Sequence, residues 1–284
     1  MILSDKAYAK INISLDIIEK MSNGYHSLKT IMQSINLYDD ITIKCTKGAG
    51  IKINTDVPYI PDDERNIAVK TTKAFYEYTG ITGYHTNIKI SKNIPICAGL
   101  GGGSADAACV LRILNILHKT ELSTKTLEDI GASVGSDVPF CVSGGTKLSE
   151  GRGEILTDLP STPHCYVVVC KPPFSLSTPE VFSKVDVKKI RMKPDTDGIL
   201  KALELGELKS IARRMYNVFE DIITRGKIEI ETIKGTLLDN GALSALMTGS
   251  GPTVYGIFDE INKAQNAYSH LRGSYKECFL TETI

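Results

Sequence analysis

The sequence predicts an α+β protein with two lobes, and three observations support this prediction. The chain has 284 residues, more than one hydrophobic core of ordinary size needs. Strand-like alternation near the start is followed by a glycine-rich turn and a helical pattern, so strands and helices share the first half. A cluster of prolines between 160 and 180 then separates this half from the next. We therefore expect one lobe over 1–160 and a second over 161–284.

The first predicted element is a strand over 7–17. Apolar residues at odd positions alternate with polar residues at even positions, which is typical of a strand with one buried face. The turn residues Ser22-Asn23-Gly24 predict a reversal of the chain, and the segments 27–37 and 41–45 continue as an antiparallel meander. The first lobe therefore begins with a sheet.

Helices follow this sheet. Residues 66–78 have a helical pattern that Gly80 ends, and 87–91 return to strand alternation. A second helix is expected to start at Ser104, and a third covers 126–134. These elements complete the predicted first lobe.

The second lobe begins with a short buried strand over 165–170. Helices are expected up to about residue 240. The remaining elements are strands over 243–247 and 253–258, a helix from Asn262 and a strand over 277–281. We interpret this order as a ferredoxin-like lobe.

Composition excludes several classes of function. Lysine plus arginine equals aspartate plus glutamate, at 33 each, so no basic field is available to hold nucleic acid or anionic lipid. No apolar run is long enough to cross a bilayer, and the start has no basic region followed by an apolar stretch. The seven cysteines include no C-x-x-C pair, which favours reduced thiols over structural zinc. We expect a cytoplasmic protein that binds neither nucleic acid nor membranes.

The most informative segment is 99–104, which reads Gly-Leu-Gly-Gly-Gly-Ser between a predicted strand and a predicted helix. Glycines let backbone amides approach an anion that the helix dipole also attracts, so the segment indicates phosphate binding. A tight turn with a serine N-cap is the alternative. The loop lacks the Gly-Lys-Ser/Thr of a Walker A motif, and Ser104 stands at the third glycine position of a Rossmann fingerprint. H-R-D and D-F-G triplets are absent, which excludes a protein kinase.

Phosphoryl transfer also needs a cation near the transferred group and a group that orients or deprotonates the acceptor hydroxyl. Lys10 lies on the polar side of the first strand together with Asn12, and Asp137 lies in a turn before Val138-Pro139. Each also has an ordinary interpretation, Lys10 as a solvated edge charge and Asp137 as a turn former.

Several segments resemble a known family. Residues 95–108, Pro-Ile-Cys-Ala-Gly-Leu-Gly-Gly-Gly-Ser-Ala-Asp-Ala-Ala, resemble the ATP-binding motif of the GHMP kinase superfamily. Residues 9–12, 135–140 and 247–252 resemble other motifs of the superfamily, in the same order along the chain. Within the superfamily, Asn23-Gly-Tyr-His-Ser-Leu28 and Gly151-Arg-Gly-Glu154 are similar to segments of the members that phosphorylate a cytidine-diphosphate-linked methylerythritol on its 2-hydroxyl. That reaction belongs to the non-mevalonate pathway to isoprenoids.

The resemblance implies a two-lobed GHMP kinase fold, with an N-terminal lobe like ribosomal protein S5 and a ferredoxin-like C-terminal lobe. It implies ATP as phosphate donor, Asp137 as base and Lys10 as the stabiliser of developing charge. The residues implied for ATP are Asn66, Pro95, Ala98, Gly99, Leu100, Gly101, Gly102, Gly103 and Ser104. Those implied for the acceptor are Asn12, Tyr25, His26, Phe182, Thr248 and Gly249.

Some of these assignments have alternatives. Tyr25 offers a flat face for the cytosine ring, and Phe182 is preferred to Phe174 as the second aromatic, although core packing is the ordinary role of such residues. Asn12 and Asn66 are alternatively capping residues. Mg²⁺ is expected with ATP, but no carboxylate pair indicates a metal site of the protein itself, and Ser104 is the candidate contact to the ion or its water.

Two other functions compete with this one. Another kinase of the superfamily would act on homoserine, mevalonate or a sugar, and the Gly24-Tyr25-His26 motif argues against it. A relative without catalysis would bind nucleotide or RNA, and the presence of Lys10 and Asp137 argues against that. The chain departs from the family where Met21-Ser22-Asn23 replaces the common Arg-x-Asp. We expect a monomer or a weak homodimer.

Overall fold

The structure is a computed structural model that describes residues 1–223 and 226–284. The chain forms two compact units that alternate along the sequence. The first unit comprises Met1–Ala9, Tyr38–Ile96 and Gly101–Gly144, and the second comprises Lys10–Leu37, Cys97–Leu100 and Gly145–Ile284. This division has several crossing points instead of one boundary, so the division into lobes over 1–160 and 161–284 stays a prediction.

The strands, in chain order, are β1 (Ile2–Lys20), β2 (His26–Lys47), β3 (Ile51–Thr55), β4 (Tyr84–Ser91), β5 (Thr146–Gly151), β6 (Ile155–Asp158), β7 (Tyr166–Lys171), β8 (Tyr216–Asn217), β9 (Ser244–Met247), β10 (Val254–Phe258) and β11 (Glu277–Glu282). The helices are α1 (Ile67–Thr79), α2 (Gly102–Leu117), α3 (Thr124–Val134), α4 (Val138–Ser143), α5 (Thr178–Ser183), α6 (Thr196–Glu204), α7 (Leu208–Ala212), α8 (Phe219–Ile222), α9 (Lys227–Asp239) and α10 (Ile261–Arg272). A 3₁₀ turn covers Val187–Lys189.

The first strand differs from its prediction in burial. β1 is longer than predicted, and every residue from 9 to 17 is buried, so the expectation of a half-buried strand is wrong. The odd positions meet apolar surroundings, whereas Asn12 and Thr30 meet each other in a buried polar environment. Buried polar groups need hydrogen-bond partners, so the polar side of β1 belongs to a buried hydrogen-bonded cluster and not to a solvated surface.

In the first unit, the later part of β2 pairs antiparallel with β4, and β4 pairs parallel with β3. Helix α2 packs against α1, α3 and α4. The limits predicted for α1 are confirmed within one residue, because the Asn66 side chain caps its start and Gly80 ends it in the left-handed conformation. Both limits follow from local chemistry that the sequence displays.

Two helices of the first unit were predicted less well. Helix α2 begins at Gly102 instead of Ser104, because Gly101 adopts a left-handed conformation with φ of 71° and serves as its N-cap. Helix α4 was not predicted, since Asp137 was expected to form a turn before Val138-Pro139. Proline in the first turn of a helix loses no hydrogen bond, so Pro139 is compatible with the helix that forms there.

The second unit contains a four-stranded antiparallel sheet in the order β11-β7-β10-β9. With α9 and α10 in the connections, this order confirms the predicted ferredoxin-like lobe. Its core includes Val168, Val254 and Phe258, all fully buried. In the same unit, the first part of β2 pairs with β5, β5 pairs with β6, and β1 pairs with β8 in parallel.

Residues far apart in sequence also close the second unit. The Gln33 side chain donates to the backbone carbonyl of Ile284 at 2.8 Å, and the amide of Ile284 donates to the carbonyl of Ser34 at 3.2 Å. Ile35 and Thr283 form a β-bridge beside them. None of the helices that the structure describes is long and apolar enough to cross a membrane.

Candidate active site

The glycine loop ends in a helix N-terminus that suits an anion. Gly99 and Gly101 have φ of 76° and 71°, in the left-handed region that glycine adopts without strain. The amides of the first turn of α2 have no partner within the helix, and the helix dipole is positive at this end. Gly103 is exposed and Ser104 is half-buried, so a ligand can reach this turn. These features fit the predicted phosphate site.

Within the second unit, Gly99 packs directly against the turn that follows β9. A Cβ atom on Gly99 would overlap the backbone carbonyl of Thr248, and one on Gly249 would lie 3.0 Å from the carbonyl oxygen of Gly99. The Thr248 hydroxyl lies 3.3 Å from the Gly99 oxygen. Only glycine permits this approach of two backbone segments, so Gly99, Thr248 and Gly249, which were predicted from separate motifs, lie together.

A buried polar cluster stands beside this contact. The ammonium group of Lys10 donates to Asn12 Oδ1 at 2.8 Å, and Asn12 Nδ2 donates to the Thr30 hydroxyl at 2.8 Å. The Asn12 amide donates to the Thr248 hydroxyl at 3.2 Å, and the Lys10 amide donates to the carbonyl of Leu100 at 3.0 Å. Lys10 is 4% exposed. A charge held in so dry a place acts more strongly on a neighbouring anion than it would in water.

Asp137 lies in the first unit, at the N-cap position of α4. Its backbone is helical, with φ of −87° and ψ of −6°, and its carboxylate does not cap the helix. Residues 136 and 137 form a turn, as the ordinary interpretation of Asp137 expects. The pairing of Asp137 with Lys10 stays a prediction.

The residues predicted to hold the cytosine lie around His26 in the second unit. The rings of His26 and Phe182 are 5.4 Å apart, and Phe182 makes an edge contact with Phe219 at 4.9 Å. His26 Nε2 is buried and has no hydrogen-bond partner among the described residues. Burial, and then the charge of Lys20, lowers the pKa of His26, so its ring is neutral at pH 7. Tyr25 beside it is 57% exposed.

The competing aromatic residue lies elsewhere. The ring of Phe174 packs over Gly226, where a Cβ atom would overlap it. Phe182 is the one that contacts His26, which agrees with the preference for Phe182 without testing its role in binding.

One neighbour of Tyr25 was not among the predicted site residues. The guanidinium carbon of Arg152 lies 5.6 Å from the centre of the Tyr25 ring, within the range of a cation–π contact. Glu154 holds Arg152, because its carboxylate accepts the Arg152 amide at 2.6 Å. The signal in the sequence was the Gly151-Arg-Gly-Glu154 segment, which the resemblance noted without assigning it a role.

Asn66 has a structural duty. Its Oδ1 accepts the amide of Ala68 at 2.9 Å, and its Nδ2 donates to the carbonyl of Pro61 at 2.7 Å. The capping interpretation is therefore correct for Asn66. Its predicted contact with the nucleotide is untested, as are those of Pro95 and Ala98, which are buried beside the loop.

The described residues contain no group of three or more histidine, cysteine, aspartate or glutamate side chains that could hold a metal ion. A metal that takes part in the reaction would therefore need most of its ligands from the nucleotide and from water. The contact predicted between the Ser104 hydroxyl, at the start of α2, and such an ion stays a prediction.

Comparison with known proteins agrees with this geometry. Family models of the GHMP kinases match twice, the N-terminal domain over residues 66–145 and the C-terminal domain over 199–277. The chain is 45% identical to the 4-diphosphocytidyl-2-C-methyl-D-erythritol kinase of Clostridium botulinum (strain Loch Maree / Type A3), over 98% of this chain and 99% of that protein. The corresponding enzyme of Clostridium kluyveri is 44% identical over the same shares.

Solved structures give the same result. A crystal structure of 4-(cytidine 5'-diphospho)-2C-methyl-D-erythritol kinase superposes with a TM-score of 0.84 at 29% identity and covers 99% of both chains. Homoserine kinase from Cytophaga hutchinsonii superposes with a TM-score of 0.76 at 19% identity, over 99% of this chain and 94% of that one, which shows a shared fold alone. This chain therefore belongs to the GHMP kinase superfamily and, within it, to the family of 4-diphosphocytidyl-2-C-methyl-D-erythritol kinases.

Proposed function

We propose that this protein transfers the γ-phosphate of ATP to the 2-hydroxyl of 4-diphosphocytidyl-2-C-methyl-D-erythritol, a step of the non-mevalonate pathway to isoprenoids. The observation that carries the proposal is the buried cluster of Lys10, Asn12 and Thr248 against the backbone of Gly99. Family membership supplies ATP-dependent phosphotransfer to a small molecule. The cluster supplies a cation and hydrogen-bond donors beside a glycine turn, which that chemistry needs.

ATP binds along the glycine loop. The amides of Gly101 to Ser104 and the dipole of α2 hold its phosphates, which bring negative charge to the positive end of the helix. The nucleotide residues all lie within 95–104 apart from Asn66, which fixes the start of α1. Ser104 is the side chain that would contact a Mg²⁺ ion bound with the nucleotide, and such an ion would neutralise charge on the phosphates.

Lys10 and Asp137 act on the acceptor. The Lys10 ammonium, fixed by Asn12, steadies the negative charge that develops on the acceptor oxygen or on the transferred group. Asp137 accepts the proton of the 2-hydroxyl, or orients that hydroxyl for attack, because a loose transition state requires little early deprotonation.

The cytidine end binds between aromatic residues. Tyr25 and Phe182 stack on the two faces of the cytosine, and His26 hydrogen-bonds its edge. The neutral His26 ring supports this role. Its buried Nε2 has no hydrogen-bond partner among the described residues, and a buried polar atom gains most from a ligand that satisfies it.

The setting of the enzyme follows from the same proposal. The seven cysteines are free thiols, which supports the cytoplasm, where ATP is also available. The family models lie on either side of residue 160, which supports lobes over 1–160 and 161–284. The acceptor is a small molecule, and the protein acts as a monomer or a weak homodimer.

The test is an ADP-release assay with ATP, Mg²⁺ and the cytidine-diphosphate methylerythritol, run beside homoserine, mevalonate and galactose. We expect turnover with the cytidine compound alone. Replacement of Asp137→Asn should lower kcat by about a hundred- to ten-thousandfold, the range of acid–base catalysis, with little change in KM. The melting temperature of the variant serves as the control for folding.

Other outcomes would change the proposal. Turnover of homoserine, mevalonate or galactose would keep the kinase and discard the acceptor. An Asp137→Asn enzyme with full activity would remove Asp137 from the mechanism. Absence of turnover with every acceptor would favour a relative that binds nucleotide without catalysis.

A further inference from the structure

A buried ion cluster lies at the base of the glycine loop, entirely within the first unit. The Lys92 ammonium is 2.5 Å from Asp39 Oδ2 and 2.7 Å from Asp106 Oδ2. The three side chains are 5%, 0% and 7% exposed for Lys92, Asp39 and Asp106. We call these three residues the loop clamp. No step of the proposed mechanism uses them.

The loop clamp joins the two ends of the loop. Before the loop, the amides of Asn93 and Ile94 donate to Asp39 Oδ1 at 2.6 and 2.8 Å, so this segment hangs from strand β2. After the loop, Asp106 lies in the second turn of α2. Lys92 therefore ties the segment before Pro95 to the helix that begins after Gly101.

Packing reinforces these ion pairs. A Cβ atom on Gly102 would lie 3.0 Å from the side chain of Ile94 and 3.6 Å from the Lys92 ammonium. The first residue of α2 thus rests directly on the segment that the clamp holds. A small shift of either segment would move the amides at the start of the helix.

Stability alone is a poor explanation for the clamp. Burying ions is costly, and replacing a buried ion pair with apolar groups is often neutral or stabilising. Here two carboxylates share one ammonium, and Asp106 Oδ1 has no hydrogen-bond partner among the described residues. Burial raises the pKa of Asp106, against the attraction of Lys92, and the charge of Asp39 adds to the increase. We therefore interpret this cluster as a means of fixing the positions of the two loop ends, and not as a source of stability.

We propose that Lys92 is a positioning residue for the nucleotide, which holds both ends of the glycine loop, through Asp39 and Asp106, at the spacing that polyphosphate binding requires. The proposal rests on the proposed function in one respect, namely that the loop binds ATP. Amides that are already in place bind an anion more tightly than amides that must be ordered on binding. Loss of the clamp should therefore weaken the binding of ATP without affecting the binding of the acceptor.

The experiment compares Lys92→Met with Lys171→Met. Lys171 is a matched control, because its side chain is 9% exposed and its ammonium pairs with Glu277 at 2.5 Å in the other sheet. Titration calorimetry gives the Kd for ATP with Mg²⁺, and steady-state assays give both KM values, at a temperature where circular dichroism shows every variant folded. If the loop is competent about one-tenth of the time without its clamp, Lys92→Met raises the Kd for ATP about tenfold.

The KM of the acceptor should stay within about twofold in Lys92→Met, because the fraction of protein with a competent loop affects only the binding of the nucleotide. Lys171→Met should leave both constants unchanged, and Lys92→Arg, which keeps the cation, should recover much of the ATP affinity. If Lys92→Met does not fold, Asp106→Ala replaces it, since this change frees the helix and leaves Lys92 paired with Asp39. Asp106→Ala is expected to weaken ATP in the same direction.

Each result decides the matter. A folded Lys92→Met or Asp106→Ala with the wild-type Kd for ATP overturns the proposal, and so does an equal loss in Lys171→Met. If the wild type binds ATP but phosphorylates no acceptor, the proposed function fails while a weakened Kd in Lys92→Met still supports the clamp. If the wild type binds no ATP, both fail.

Discussion

The phosphate end and the base end of the proposed ligand sites, both in the second unit, are built in different ways. At the phosphate end, Gly99 and the Thr248–Gly249 turn touch through their backbones, with no room for a single added carbon. At the base end, His26 and Phe182 meet through their rings, and Tyr25 is largely exposed. Backbone contacts cannot adjust to a substitution, whereas side chains can repack. The phosphate end should therefore be the less tolerant of the two.

The largest expected effect is that of Gly99→Ala. The new Cβ would overlap the Thr248 carbonyl, and φ of 76° strains any residue other than glycine. Displacement of this turn by about 1 Å should lower kcat/KM for ATP about a hundredfold. Steady-state kinetics with varied ATP measure the change.

Gly206→Ala is the matched control for that variant. Its φ of 67° imposes a similar strain, but nothing lies within 4 Å of the added carbon. It should lose a little stability and keep its kinetics. If Gly99→Ala retains wild-type kcat/KM, or if both variants lose activity alike, the phosphate end is not the rigid one and the comparison between the two ends collapses.

A smaller effect is expected at the base end. Phe182→Leu removes one stacking face and should raise the KM of the cytidine acceptor about tenfold, because a base stacked on an aromatic ring gains a few kcal/mol at most. The KM of ATP should not change. Phe174→Leu, whose ring packs over Gly226, is the comparison variant and should leave both constants near the wild type. The reverse ranking would exchange the roles of the two phenylalanines.

The smallest effect concerns pH. Burial lowers the pKa of His26 below its ordinary value of 6.5, so the unfolded chain takes up this proton more readily than the folded protein. The contribution of His26 should leave stability unchanged above pH 6.5 and reduce it as the pH falls from 6.5 towards the lowered pKa. The slope is below about 1.4 kcal/mol per pH unit, the limit for one proton.

Thermal unfolding of wild type and His26→Gln between pH 5 and 8 measures this difference, with about half-unit steps in pH sufficient to define the slope. The other histidine with a lowered pKa, His118, is present in both proteins, so it cancels in the comparison. Parallel curves would mean that the base end holds His26 without any penalty for its charged form.

The sequence was most informative at positions where the backbone conformation restricts which residue fits. The glycines of 99–103 and the cap and stop of α1 are visible because few residues fit such positions. The burial of the polar side of β1 was not predicted, because alternation alone cannot tell solvent from a buried polar cluster around Asn12. Asp106 was missed for a related reason, since its partners Asp39 and Lys92 are distant in sequence.

The roles of the two phenylalanines show a further limit. Phe174 and Phe182 follow the same strand β7, and nothing in their composition tells which ring meets His26. Tertiary packing decides it, through the contact of Phe182 with Phe219. Helix α4 was not predicted either, although its proline, Pro139, stands in the first turn, where helices accept proline.

The closure of the second unit by residues 33–35 and 283–284 has a consequence for folding during synthesis. The hydrogen bond from Gln33 to Ile284 spans 251 positions. At ordinary translation speed Gln33 is therefore synthesised roughly 10–50 s before Ile284. For roughly the first half of that time, until residues 146–151 have been made, the first part of β2 also lacks β5, and an incomplete sheet edge promotes aggregation. A nascent chain of this topology should therefore be a client of chaperones that shield its early strands until the late ones emerge.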